Sequence, residues 1–173
     1  MLSMHFKLYQ GYVKNANELL EKLPTAKGSD DGALKRRLGW ELDGMRFHEL
    51  YFDNLGGNGV VDPKSKIFEA IRLQFGSFEK WKSDFIETGL MRGIGWAVLY
   101  LDVTGQKLIN LWINEHDVGH LAGGRPILIM DVFEHAYMPQ MGLDRAQYIE
   151  VFFQNVNWNV VNARFIEPCS RGI

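Results

Sequence analysis

Strand-like patterning is confined to one stretch of this chain, between Gly95 and Asp131, and helical patterning fills most of the rest. Within that stretch Gly95–Leu101 and Lys107–Ile113 read as two strands. The residues between them, Asp102-Val103-Thr104-Gly105-Gln106, supply the turn of a hairpin. A third strand is predicted over 126–131, where Ile127-Leu128-Ile129-Met130 forms a short, continuous apolar run. Helices and strands segregated along a chain in this way predict an α+β architecture. With 173 residues, 46% of them apolar, the chain can build one compact domain or two small lobes sharing a core.

The helical part divides at its breakers. Residues 3–22 read as a helix with Ser3 as N-cap and Pro24 as its stop. Thr25 to Gly32 reads as a polar loop. A second long helix is predicted over 33–53, with Leu34, Leu38, Leu42 and Met45 on its apolar stripe. Gly39 and Gly44 each cost such a helix about 1 kcal/mol relative to Ala, so close packing is expected at both. Asn54-Leu55-Gly56-Gly57-Asn58-Gly59 reads as a flexible connector. It separates an N-terminal helical hairpin, 1–56, from a C-terminal α/β domain, 60–173. Asp62-Pro63 is a helix-start signal. That helix is expected to end at Gly76, and Ser77 to cap another running to about residue 92. Residues 143–165 read as one aromatic-rich helical segment.

The bulk numbers exclude several function classes. A net charge of −2 gives no footprint for nucleic acid or an anionic membrane surface. No apolar run is long enough to span a bilayer, and the N-terminus does not read as a signal peptide. Cys169 is the only cysteine, which rules out an intrachain disulfide or a multi-cysteine zinc site. A reducing cytoplasm is the expected location.

The chemistry concentrates at Asp131-Val132-Phe133-Glu134-His135. A carboxylate stands where the third strand ends, and an imidazole follows four residues later. If the chain enters a helix there, one turn brings both onto a common face. One oxygen and one nitrogen ligand make half of a site suited to iron, manganese or zinc. Of the five histidines (His5, His48, His116, His120 and His135), His5 lies on the first predicted helix and His48 on the second. An antiparallel hairpin would bring these two together. Three imidazoles and one carboxylate suit a redox iron or manganese ion with an open position. Each histidine taken alone is more often a surface or satisfied core residue, so spacing by itself leaves the ordinary reading open.

Several motifs, in order, narrow the choice. HFKLYQGYVKNANEL at 5–19, FHELYFDNL at 47–55, FGSFEKWKSDF at 75–85, GIGWAVL at 93–99, DVFEHAYM at 131–138 and NVNWNVVNARF at 155–165 resemble those of the iron/manganese superoxide dismutases. The resemblance covers nearly the whole chain. It implies an N-terminal helical hairpin followed by an α/β lobe with a three-stranded antiparallel sheet. It implies disproportionation of superoxide to oxygen and hydrogen peroxide, at one iron or manganese ion per chain. The implied ligands are His5, His48, Asp131 and His135. Tyr12 matches the family's gateway tyrosine, and His116 the residue set against the open coordination position, with the small Gly44 leaving it room. That pairing favours iron. Glu134 matches a glutamate that reaches across a dimer interface to the partner's ligand histidine, so a homodimer or a dimer of dimers is implied. His120 is read as a hydrogen-bonding residue of a loop.

Three positions depart from the family pattern. His5 stands one residue nearer to Tyr12 than in typical members, a difference of about 100° around a helix, and Met4 occupies the ungapped ligand place. Met138 replaces a tyrosine of the usual interface bridge, whose first-helix partner falls at Tyr9 or Leu8. Phe133 replaces the signature tryptophan. Two alternatives stand beside a dismutase. One is a catalytically impaired family member serving as a metal-binding or structural protein, and the other is a metal-dependent hydrolase.

Overall fold

The computed structural model describes residues 2–167; Cys169 lies outside the described residues. The elements are α1 (Leu2–Lys22), a single 3-10 turn (Leu23–Thr25), α2 (Gly28–Asp53), α3 (Lys66–Phe75), α4 (Phe78–Leu90), β1 (Gly95–Asp102), β2 (Lys107–Asn114), β3 (Gly124–Asp131), α5 (Glu134–Met141), α6 (Arg145–Gln154) and α7 (Trp158–Ile166). The architecture is α+β: two long helices, then an α/β unit around a three-stranded antiparallel sheet of order β2-β1-β3. Among the described residues no helix is long and apolar enough to cross a membrane.

The central position of β1 follows from its residues. Trp96 to Tyr100 are buried on both faces, so this strand alternates one apolar side chain with another and not with polar ones. Its register places Trp96 opposite both Ile113 of β2 and Asp131 of β3. The end of the sheet nearest α2 therefore carries an indole beside a carboxylate. The core continues through Trp81 and Phe85 of α4, Phe152 and Phe153 of α6, and Trp158 and Val161 of α7.

α1 and α2 run antiparallel, as successive pairings show: Asn15 with Glu41, Tyr12 against Gly44, Tyr9 with Glu49, His5 beside Tyr51. Ser3 lies inside the first turn of α1 and does not precede it. α2 begins at Gly28, five residues before the expected start. Asp30 and Asp31 in its first turn meet the positive end of the helix dipole, which offsets the weak propensity of Gly28 and Gly32. The buried face of α2 is Glu41, Gly44, Phe47, His48 and Tyr51. The expected stripe of Leu34, Leu38, Leu42 and Met45 is only partly covered. Gly44 is tightly packed, whereas a side chain at Gly39 would meet open space.

The 54–59 segment is not a loose tether. Asn54 is fully buried and its amide donates to the Ile129 carbonyl. Gly57 N–H and Gly59 N–H donate to the carbonyls of Asn155 and Val156, and Trp158 Nε1 donates to Gly59. A Cβ at Gly57 would collide with the backbone of Val156 and Asn157. Gly57 and Gly59 serve close backbone approach. Asp62-Pro63 forms a turn, and Ser65 caps α3 by accepting from Phe68 N–H. Gly76 and Ser77 do end α3 and cap α4 as expected. The 143–165 segment is two helices, interrupted at Asn155–Asn157, where backbone groups turn to the 54–59 segment.

Candidate metal centre

Asp131 is the last residue of β3, fully buried, at the point where the chain turns into α5. Its Oδ1 accepts from the Phe133 amide at 2.9 Å, which fixes the carboxylate plane. Oδ2 faces three imidazoles: His5 Nε2 at 3.1 Å, His135 Nε2 at 3.1 Å and His48 Nε2 at 3.7 Å. One ligand atom from each of the four residues lies within 4.8 Å of all the others. The β3-to-α5 turn supplies Asp131 and His135, four residues apart on one face, as their spacing predicts. The α1–α2 hairpin supplies His5 and His48. His5 is fully buried while Met4 is 45% exposed, so in the continuous helix α1 it is His5 that turns inward.

His48 gives the sharpest test of what the cluster can hold. Its Nδ1–H donates to the Gly44 carbonyl at 2.6 Å, so the lone pair is on Nε2. That atom is buried and has no hydrogen-bond partner among the described residues. Burial pushes the His48 pKa down, against the opposing pull of Asp131. Burial alone would raise the Asp131 carboxyl, but hydrogen bonds from His135 and His5 outweigh it and hold it well below the usual carboxylate range. A neutral imidazole lone pair therefore points at an ionised carboxylate across a buried gap. A cation satisfies both, and the N₃O donor set suits iron or manganese.

A second layer surrounds this cluster. The Tyr12 ring stacks on His48 with centroids 5.1 Å apart, and its hydroxyl lies 2.8 Å from His116 Nε2. Trp96 Nε1–H donates to His116 Nδ1 at 3.0 Å. An indole nitrogen can only donate, so the single proton of neutral His116 sits on Nε2. His116 then donates to the Tyr12 oxygen, and the Tyr12 hydroxyl proton is left to point onward. Burial first, and the neighbouring His48 second, push the His116 pKa down to about 4, so the imidazole is neutral at ordinary pH. Burial likewise raises the Tyr12 phenol and keeps it protonated. Phe133 packs on both His116 and His135, at 4.8 and 5.2 Å between centroids.

The structure thus brings together His5, His48, Asp131, His135, Tyr12 and His116. Glu134 stands apart, exposed at the first turn of α5 with no hydrogen bond to a described residue, and Met138 is 40% exposed nearby. Tyr9 donates to Glu49 at 3.0 Å. His120 lies in the loop before β3, hydrogen-bonded to Tyr100 and to the His116 carbonyl. Sequence reasoning quoted the motif containing Trp96 and gave the indole no role. The signal available was its place on β1, whose pairing with β3 sets it opposite Asp131.

Comparison with known proteins agrees with this geometry. Residues 63–164 match the family described as iron/manganese superoxide dismutases, C-terminal domain. A superoxide dismutase (Fe) of Pyrobaculum aerophilum is 38% identical over 92% of this chain and 79% of its own length. A superoxide dismutase (Mn) 2 of Haloferax volcanii is 35% identical over 93% and 82%. A superoxide dismutase (Mn/Fe) of Aeropyrum pernix is 36% identical over 92% and 78%.

Proposed function

The chain belongs to the iron/manganese superoxide dismutase family, and from that premise we propose that His5, His48, Asp131 and His135 hold one iron or manganese ion, with Tyr12 and His116 managing protons beside it. The activity is disproportionation of superoxide to oxygen and hydrogen peroxide. When bound, such an ion supplies the one-electron exchange that this reaction needs.

The chain's own residues do the rest. Asp131 places a carboxylate opposite the imidazoles of His5, His48 and His135, and this oxygen among three ring nitrogens favours a cation. The His48 Nδ1–H bond to Gly44 fixes its tautomer and aims Nε2. Trp96 fixes the His116 tautomer, and His116 orients the Tyr12 hydroxyl so that its proton faces the site. Superoxide disproportionation consumes two protons, and the Tyr12 hydroxyl is a protonated O–H beside the cluster, its ring stacked on His48. Phe133 limits water around His116 and His135. The observation that carries the assignment is the orphaned, buried His48 Nε2 facing Asp131.

The finer readings follow from the same site. His116 set against Gly44 supports iron as the working ion. The exposed Glu134 supports a homodimer, or a dimer of dimers, in which this carboxylate reaches the partner's site. The same reading divides the chain into a helical hairpin over 1–56 and an α/β domain over 60–173, each supplying two of the four proposed ligands. A single cysteine supports a cytoplasmic location.

Pulse radiolysis on purified protein, with iron and manganese quantified in the same sample, tests the proposal. The expected result is superoxide decay proportional to one bound ion per chain. Stoichiometric metal without catalytic decay would instead establish a metal-binding protein that has lost the reaction.

A further inference from the structure

Outside the Tyr12–His116 pair lies a groove of ≈ 890 Å³, lined by Arg36, Arg37, Trp40, Glu115, Asp117 and Val118 among others. The Trp40 side chain both lines this groove and packs against the pair. The Trp40 ring packs 4.5 Å from the His116 ring and 5.5 Å from that of Tyr12, centroid to centroid. His116 is fully buried although it sits in a short loop after a strand end. The indole is held from two sides. Its Nε1–H donates to Glu115 Oε2 at 3.1 Å. The Arg37 guanidinium lies 4.2 Å over its ring.

Both anchors are exposed side chains, each held by its own surroundings. Glu115 has a left-handed backbone, φ +51°, unusual for a residue with a side chain. It immediately precedes His116, so the conformation that turns His116 inward also turns the Glu115 carboxylate toward α2. Arg37 is itself pinned by Glu41, with contacts of 2.7 and 2.6 Å. Glu41 is buried and also accepts from Asn15 of α1. The chain of contacts runs from α1 through α2 to the loop after β2.

The geometry points to Trp40 as a positioning residue, latched by Glu115, that walls the Tyr12–His116 hydrogen bond off from the groove and closes a second route for solvent to the site. This rests on the proton role proposed for Tyr12 and His116, but the wall itself can be read without activity. If Trp40 is the wall, its loss opens the flank of His116 and lets water reach the Trp96–His116 hydrogen bond behind it. That bond has a reporter in the Trp96 indole proton. Trp81 provides an internal reference, since its buried indole donates to Asn110 on the far side of the α/β unit.

The experiment is indole N–H exchange by NMR on the metal-free, full-length protein. Trp40→Ala and Glu115→Ala should speed exchange at Trp96 by roughly tenfold or more while Trp81 changes by less than about twofold, as local opening requires. Glu115→Gln keeps an amide oxygen to accept from Trp40 and should restore the wild-type rate. Equal acceleration at Trp96 and Trp81 would mean global loosening and would overturn the wall. Unchanged Trp96 exchange in folded Trp40→Ala would overturn it as well. Tyr12→Phe kinetics on the metal-loaded enzyme separate the two readings. Faster Trp96 exchange in Trp40→Ala combined with full activity of Tyr12→Phe would keep the wall and remove Tyr12 from the chemistry.

Discussion

A Cβ built on Gly44 would lie 2.8 Å from two carbons of the Tyr12 ring, so a glycine at position 44 and the observed place of Tyr12 require each other. The same Cβ would stand 3.1 Å from the His116 ring. Gly44 also presents the carbonyl that orients His48. One small residue in mid-helix thus fixes the His48 tautomer and makes room for both Tyr12 and His116.

Gly44→Ala sets two opposed effects against each other. Alanine would favour an exposed helix by up to about 1 kcal/mol. Overpacking a rigid, aromatic site costs about 1–3 kcal/mol. Because the neighbours are ring atoms held by other contacts, the second effect should win. The expected outcome is net destabilisation in urea or guanidinium unfolding, with a lower kcat/KM from the displaced Tyr12. A stabilised variant with full activity would show that Tyr12 moves freely.

Asp131→Asn preserves shape and removes the one carboxylate that, among the described residues, faces the three imidazoles. It should lose more metal affinity than the roughly 10–100-fold typical of outer hydrogen-bond partners. Metal content after purification and after dialysis against a chelator measures this. Near-stoichiometric iron or manganese in the variant would place the ion elsewhere.

How far this site was legible in the sequence depends on range. Asp131 and His135 are four apart across a strand–helix turn, and local periodicity finds them. His5 and His48 needed the assumption of an antiparallel hairpin, which the α1–α2 pairing satisfies. The three strands were readable because each is a short apolar run bounded by turn residues. The buried face of α2 was misread for a physical reason. Its inward positions hold Glu41, Gly44 and His48, which are polar or small because they serve the site, while the leucines at 34, 38 and 42 lie on partly covered flanks. Hydrophobic patterning fails where function replaces apolar side chains. Gly57 and Gly59 were misread as flexibility because the backbone that crowds them, Val156–Asn157 and Phe153–Gln154, is about 100 residues away in sequence.

Trp96→Phe removes the donor to His116 Nδ1 and keeps most of the ring volume. A buried acceptor left unpaired costs about 1–3 kcal/mol. His116 is then free to carry its proton on either nitrogen. In the Nδ1–H form its Nε2 becomes an acceptor and captures the Tyr12 proton. The expected result is a modest stability loss with a larger fall in the proton-dependent phase of superoxide decay, seen by radiolysis at rising pH. A stability loss alone would reduce Trp96 to a packing role.

Glu134 is exposed in the single chain and sits one residue before His135. If it reaches a partner's site, sedimentation of the wild type should show a dimer. Glu134→Ala should then raise the dimer dissociation constant and lower metal retention at the same protein concentration. A wild-type monomer with full metal content would remove Glu134 from the site.

The last prediction concerns the loop that carries His116. His120 donates or accepts at three places there: the Tyr100 hydroxyl at 2.9 Å, the His116 carbonyl at 2.8 Å and the Asp43 carboxylate at 3.5 Å. The Asp43 hydrogen bond raises the His120 pKa above 6.5, outweighing the burial that would lower it. A raised folded pKa means that the folded state binds the proton more tightly. The resulting stability is fully present below about pH 6.5, the ordinary histidine value, and is lost as pH rises through the folded-state pKa. Asp43 is 40% exposed, so solvent screening limits the effect to below about 1 kcal/mol. Asp43→Asn should therefore destabilise the protein more at pH 5.5 than at pH 9, with the difference shrinking as salt is added. Unfolding titrations of both proteins at the two pH values measure it. An equal loss at both would mean that Asp43 acts through packing, and that His120 holds the His116 loop as a neutral hydrogen-bonding group.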